Sequence, residues 1–111
     1  MQLVIRATNV PVSDPIREHV SRRVLNAAKR FARKLSKVTV VLEDINGPRG
    51  GVDKACRIEA GMSHSGEPLI ITERSDDLYG AVDQATSKFK QALGRRVARH
   101  KSRRRHSTDA T

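Results

Sequence analysis

The chain has 111 residues, the size of one domain with a single two-layer core. Its 37% hydrophobic and 31% charged residues argue against a disordered chain, and no segment approaches membrane-spanning length. A net charge of +10 and a pI near 10.9 point to a polyanionic partner. Nucleic acid ranks ahead of a membrane surface, because the helical segments expose few large apolar residues.

The N-terminal run MQLVIRATNV has an arginine inside its apolar stretch and no signal-peptide layout, so the expected compartment is the cytoplasm. Residues 2–8 alternate and predict a strand, with Leu3 and Ile5 on one face and Val4 and Arg6 on the other. The breaker cluster from Asn9 to Asp14 leads into a helix start, with Ser13 or Asp14 as cap and Pro15 in the first turn. Periodicity predicts a first helix over roughly 14–35, buried through Ile16, Val20, Val24, Ala27 or Ala28, Phe31 and Leu35. Three strands follow: residues 38–43, residues 53–62 after the turn-rich NGPRGG, and residues 69–74 after a short His64–Pro68 turn.

The last element is a long helix from about 75 to 105. Leu78, Val82, Ala85, Phe89, Leu93 and Val97 recur at steps of three and four, and Ser75, Asp76 and Asp77 mark its start with Ser75 as the cap candidate. The final ten residues lose apolar periodicity. The expected organisation is therefore one domain over 1–101 and a basic disordered tail over 102–111. The order β-α-β-β-β-α needs a right-handed crossover between the first two strands, which makes them parallel, followed by a hairpin meander. That defines an α+β two-layer sandwich, a four-stranded mixed sheet with two helices on one face. The open face would carry Thr39, Glu43, Arg57 and Glu59, a solvated surface with no base-stacking character.

Charge is divided by segment. Residues 17–37 hold eight cations and one acid, and residues 88–105 hold nine cations and no acid. The intervening 38–87 hold four cations against nine acids. The positive field therefore belongs to the helices, and its carriers include Arg22, Arg23, Lys29, Arg30 and Arg33 on the first and Lys88, Lys90, Arg95, Arg96, Arg99 and Lys101 on the second. Aromatic residues are sparse (Phe31, Tyr79, Phe89, no Trp), so contacts should go mainly to phosphates and to shape.

No catalytic constellation is visible. His19, His64, His100 and His106 share no metal-ligand spacing, and a lone Cys56 rules out an intramolecular disulfide and a multi-cysteine zinc site. Asp76 and Asp77 are explained by the helix start, and Asp83 lies nearly two turns on. The 46–51 loop could turn backbone N–H groups towards a phosphate, with Arg49 and Lys54 adding charge, but it lacks the P-loop pattern and sits between strands. An enzyme, a metal and a cofactor are not expected. Gly80 and Gly94 each disfavour helix by roughly 1 kcal/mol relative to alanine. Gly80 would allow close approach to the sheet, while Gly94 would either loosen the helix or let a phosphate come close.

These residues resemble the ribosome hibernation-promoting factor and ribosome-associated inhibitor family (the sigma-54 modulation protein family) in its short form. Asn9 and Ile16-Arg17-Glu18-His19-Val20 are similar to the family's opening of helix one. Asp77-Leu78-Tyr79-Gly80-Ala81-Val82-Asp83 is similar to its D-[ML]-Y-x-A-[IV]-D signature, followed by Lys88-Phe89 and Leu93. The stretch from Asp44 to Arg57 resembles one branch of the family. The resemblance implies a domain that binds the small ribosomal subunit and its ribosomal RNA in the channel used by messenger RNA and transfer-RNA anticodons, blocking translation in idle ribosomes. It implies RNA contacts from Arg22, Arg23, Lys29 and Arg30 and from Lys88 and Arg95. The chain departs from the family at Ala92, where Gln is frequent, and at Val97, where a basic residue is frequent; Arg96 and Arg99 stand nearby. The long-form C-terminal domain and the acidic tail of some short members are missing, which leaves ribosome pairing open. Two rival readings remain: a general double-stranded RNA or DNA binding module, and a domain whose basic faces meet an acidic protein.

Overall fold

A computed structural model of the chain describes residues 1–45, 53–63 and 66–109, with side chains described as far as Arg99. Strand β1 (Gln2–Thr8) turns Leu3 and Ile5 towards the core and leaves Arg6 exposed. It ends at Asn9, whose φ of 59° is in the left-handed region that asparagine tolerates better than most residues. Val10 and Val12 pack on the core, and helix α1 (Asp14–Ala28) starts with Ser13 as its cap, Oγ accepting from Ile16 N at 3.4 Å. Ile16, Val20, Val24, Ala27 and Ala28 form its buried stripe.

The first helix is shorter than its periodicity predicts. Beyond Ala28 the chain tightens into a 3-10 turn over Lys29–Lys34, and Phe31 leaves helical geometry (φ −120°, ψ 16°). Leu35, expected on the helix, is the first residue of strand β2 (Leu35–Asp44). The cause is tertiary. Lys34 O accepts from Ser63 N (2.8 Å) and Arg33 O from Ser63 Oγ (3.2 Å), while Leu35 pairs with Met62. A 3-10 turn brings residues three apart onto one side, so the apolar spacing alone could not mark the switch.

Strands β3 (Lys54–Met62) and β4 (Leu69–Ser75) complete a sheet of order β1-β2-β3-β4, with β1 parallel to β2 and the other pairs antiparallel. The register aligns Ile5, Val40, Ile58 and Ile71 in one inward row. The other face carries Thr39, Glu43, Arg57 and Glu59 as expected, Arg57 and Glu59 forming an ion pair at 2.9 Å.

The cap of helix α2 (Leu78–Asp109) lies two residues later than expected. Ser75 is the end of β4, and Asp77 caps the helix, Oδ2 accepting from Gly80 N (3.3 Å) and its carbonyl from Ala81 N (3.0 Å). A Cβ on Gly80 would stand 2.8 Å from Ser75 Oγ, so the glycine permits the close strand-to-helix approach. Ala81, Val82, Ala85, Phe89, Leu93 and Val97 are buried. They share one core with α1 and the inner face of the sheet, so both helices lie on the same side. Burial of Val97 explains why a basic residue is absent there. The backbone is helical to Asp109. The stretch after Gly94 contains no glycine or proline and is rich in Arg and Lys, good helix formers that extend a nucleated helix readily. Among the described residues no helix is long and apolar enough to cross a membrane.

Candidate nucleic-acid interface

The buried stripes decide where the cations stand. With 100° between successive helical residues, side chains opposite the stripe face solvent. On α1 and the turn after it these are Arg22, Lys29, Arg30 and Arg33; on α2 they are Lys88, Lys90, Arg95 and Arg99. Arg23 and Arg96 are half-buried, and the side chain of Lys101 lies outside the described residues.

Proximity to acids then sorts the candidate set into bound and available charges. Towards the N-terminal ends of the two helices, Asp83 of α2 receives His19 Nε2 at 2.7 Å and an ion pair from Arg23 Nε at 3.2 Å. Arg23 Nη2 also donates to the Asp83 carbonyl (3.3 Å). Arg22 Nη2 donates to His19 Nδ1 (3.3 Å), which leaves Nε2 to carry the proton given to Asp83. Tyr79 meets the His19 ring edge to face, with centroids 4.9 Å apart. The result is a polar strut between α1 and α2, and it employs Arg23 internally. Lys88 pairs with Glu73 of β4, and Arg96 Nη1 donates to the Glu67 carbonyl at 2.7 Å. Lys29, Arg33, Lys90, Arg95 and Arg99 have no ion pair or side-chain hydrogen bond among the described residues.

Where α1 gives way to the 3-10 turn, it separates from the middle of α2 and leaves an open groove of about 1300 Å³. Lys29 and Arg30 stand on one wall, Lys90 and Arg95 on the other. Four cations stand across a concave surface with no carboxylate among its lining residues, a concentration of positive charge that would attract phosphates.

Other candidates are accounted for differently. The 46–51 loop and His64 lie outside the described residues, as do the side chains of His100 and His106. At the loop's base Lys54 does not project as a free cation. Its ammonium lies 3.1 Å from Asp53 Oδ2 and 3.2 Å from Asp44 Oδ2, and the hydrogen bond to Asp53 foremost holds its pKa above the ordinary lysine value. Cys56 is buried in the sheet, where desolvation pushes its thiol up to about 12, too high for a nucleophile. No group of three metal-ligating side chains occurs among the described residues.

One side-chain pairing was not legible beforehand. His19 and Asp83 are 64 positions apart, and nothing in their local patterns announces the pairing.

Comparison with known proteins agrees with this architecture. The structure is similar to a ribosomal subunit interface protein from Coxiella burnetii (TM-score 0.71, 18% identity, covering 88% of this chain and 99% of that one). It is also similar to the N-terminal domain of Thermus thermophilus Protein Y (TM-score 0.68, 21% identity, covering 86% and 98%). In sequence the chain is 24% identical over 111 residues to a ribosome hibernation promotion factor of Picosynechococcus sp., covering all of this chain and 56% of that protein. It is 27% identical over 104 residues to the factor of the same name from Bacillus subtilis, covering 93% and 50%. The chain thus spans about half the length of both relatives. The model of the sigma 54 modulation protein / S30EA ribosomal protein family matches residues 3–105, and the chain belongs to that family.

Proposed function

We propose that this chain binds the small ribosomal subunit through the basic flanks of α1 and α2, occupies the channel of messenger RNA and transfer-RNA anticodons, and holds idle cytoplasmic ribosomes inactive. It acts by occupancy, with no chemical step. The supporting observation is the convergence of Lys29 and Arg30 with Lys90 and Arg95 on one groove, cations of two separate segments merged into one field. Membership of the family and the names of the two relatives support the ribosome as the polyanion. The internal pairing of Arg23, Lys88 and Arg96 shifts the expected contacts towards Arg22, Lys29, Arg30, Arg33, Lys90, Arg95, Arg99 and Lys101.

Sedimentation with purified bacterial small subunits tests the binding, and inhibition of a cell-free translation reaction tests the occlusion. Co-migration that survives excess duplex RNA, together with loss of translation, is the expected result. Equal displacement by plain duplex would favour a general double-strand binder. Association insensitive to nuclease would favour an acidic protein partner. Enrichment in ribosomal fractions of resting cells over growing cells would tie the activity to stress or stationary phase.

A further inference from the structure

We infer that the groove between the end of α1 and the middle of α2 seats an unpaired nucleotide of single-stranded RNA, its base inside the groove and its phosphates on the rim. The inference rests on the ribosomal-RNA reading above and specifies what one part of that surface takes.

Cations alone would serve any phosphate backbone, duplex or single-stranded. The groove holds more than cations. Asn26 and Gln91 line it, and neither side chain has a hydrogen-bond partner among the described residues. Each amide offers both donors and an acceptor, the complement of a base edge and unnecessary for a phosphate. Phe31 lines the same groove, partly buried against the core, at the point where the 3-10 turn departs from helical geometry. The Arg30 guanidinium lies 5.8 Å from the Phe31 ring centroid, so a planar aromatic and a planar cation stand together where a base could stack.

Gly94 supplies the second line of support. It lies mid-helix, where glycine is worth about 1 kcal/mol less than alanine. Its backbone does not have the positive φ that would require glycine, and a Cβ placed there meets nothing within 4 Å. Neither conformation nor packing therefore explains it. What the missing side chain provides is depth in the groove, which a base needs and a phosphate resting on the rim does not. The volume of about 1300 Å³ exceeds the roughly 300–1,000 Å³ typical of small-ligand pockets, so a nucleotide fits with room for its neighbours' backbone.

The decisive variant is Gly94→Leu, which fills the floor and keeps every cation. Binding is read by fluorescence with a single-stranded RNA octamer carrying one fluorescent purine analogue, at low salt. Thermal unfolding is the control for fold, and Asn26→Ala/Gln91→Ala is the second, charge-neutral variant. The parent should bind the octamer and quench the analogue by stacking. Both variants should bind roughly tenfold more weakly or worse, as loss of one stacked or paired base implies, with unfolding temperatures near the parent's. Parent-like octamer affinity in either folded variant, or no octamer binding by the parent, overturns the inference. Duplex RNA of the same length that displaces the octamer at equal concentration also overturns it. Sedimentation with small subunits is measured separately. Groove failure with co-sedimentation retained leaves the proposed function standing, and a parent that does not co-sediment removes that function whatever the octamer does.

Discussion

Removing Lys29, Arg30, Lys90 and Arg95 together (each to Ala) should change how ribosome binding responds to salt, and by an amount the structure sets. These four stand exposed around the groove, where none is ion-paired among the described residues. Each phosphate neutralised by a lysine or arginine contributes about 0.7–0.9 to the slope of log affinity against log salt. The fourfold variant should therefore flatten that slope by about 2.8–3.6. Lys88→Ala/Arg96→Ala is the matched comparison. Lys88 is balanced by Glu73 and Arg96 is turned to the Glu67 carbonyl, so this pair should change the slope by well under the roughly 0.7 per residue expected of a phosphate contact. Fluorescence anisotropy of labelled protein with small subunits, from about 50 to about 300 mM potassium chloride, measures both. All four exposed sites are on the surface, and unfolding midpoints should stay close to the parent's. If both sets flatten the slope equally per residue, internal pairing does not decide which cations meet RNA. An unchanged slope in the fourfold variant would remove the groove walls from the interface.

Three further outcomes concern the stability of the fold. Asp83→Ala strips His19 and Arg23 of their shared partner across the helix pair; because Asp83 is half-exposed, the loss should be about 1 kcal/mol, or roughly 4–8 °C in Tm by calorimetry. Phe89→Ala empties the largest fully buried site of the core and should cost about 3–5 kcal/mol in a urea titration, a large share of a typical domain's stability. Alkali should destabilise the fold through Cys56. Its thiol ionises near 9.0 in the open chain and about 12 in the core, so above pH 9 the unfolded state sheds a proton that the folded state keeps. Stability from this group is complete below pH 9 and falls by about 1.4 kcal/mol per pH unit towards pH 12. Lys54, also raised, works in the same direction. Urea midpoints of the parent and Cys56→Ala between pH 8 and 11 check this; identical alkaline slopes would exclude the thiol as the source.

Much of the candidate site was legible as charge. The acid-free run from Lys88 to Arg105 and the basic first helix sit on elements whose apolar stripes could be counted, and those stripes predict which side faces out. The same counting misled at Phe31 and Leu35, where apolar spacing continued past the true helix end. Ser63 ended that helix by taking the Arg33 and Lys34 carbonyls, a contact made across 29 or more positions of chain. At α2, three consecutive cap-competent residues, Ser75, Asp76 and Asp77, were chemically equivalent starts until the length of β4 assigned Ser75 to the strand.

Local order and handedness thus came from the chain itself: alternation made strands, a three-to-four repeat made helices, and the right-handed crossover made the first two strands parallel. Availability did not. Whether an arginine meets a phosphate or an internal carboxylate depends on which acid the fold brings within about 4 Å, since attraction between charges weakens with distance and solvent. Asp83, Glu73 and the Glu67 carbonyl took Arg23, Lys88 and Arg96, and the widening of the helix pair at Phe31 left Lys29, Arg30, Lys90 and Arg95 around a groove. Composition determines how much positive charge the chain carries; only tertiary packing decides which of it is left to bind.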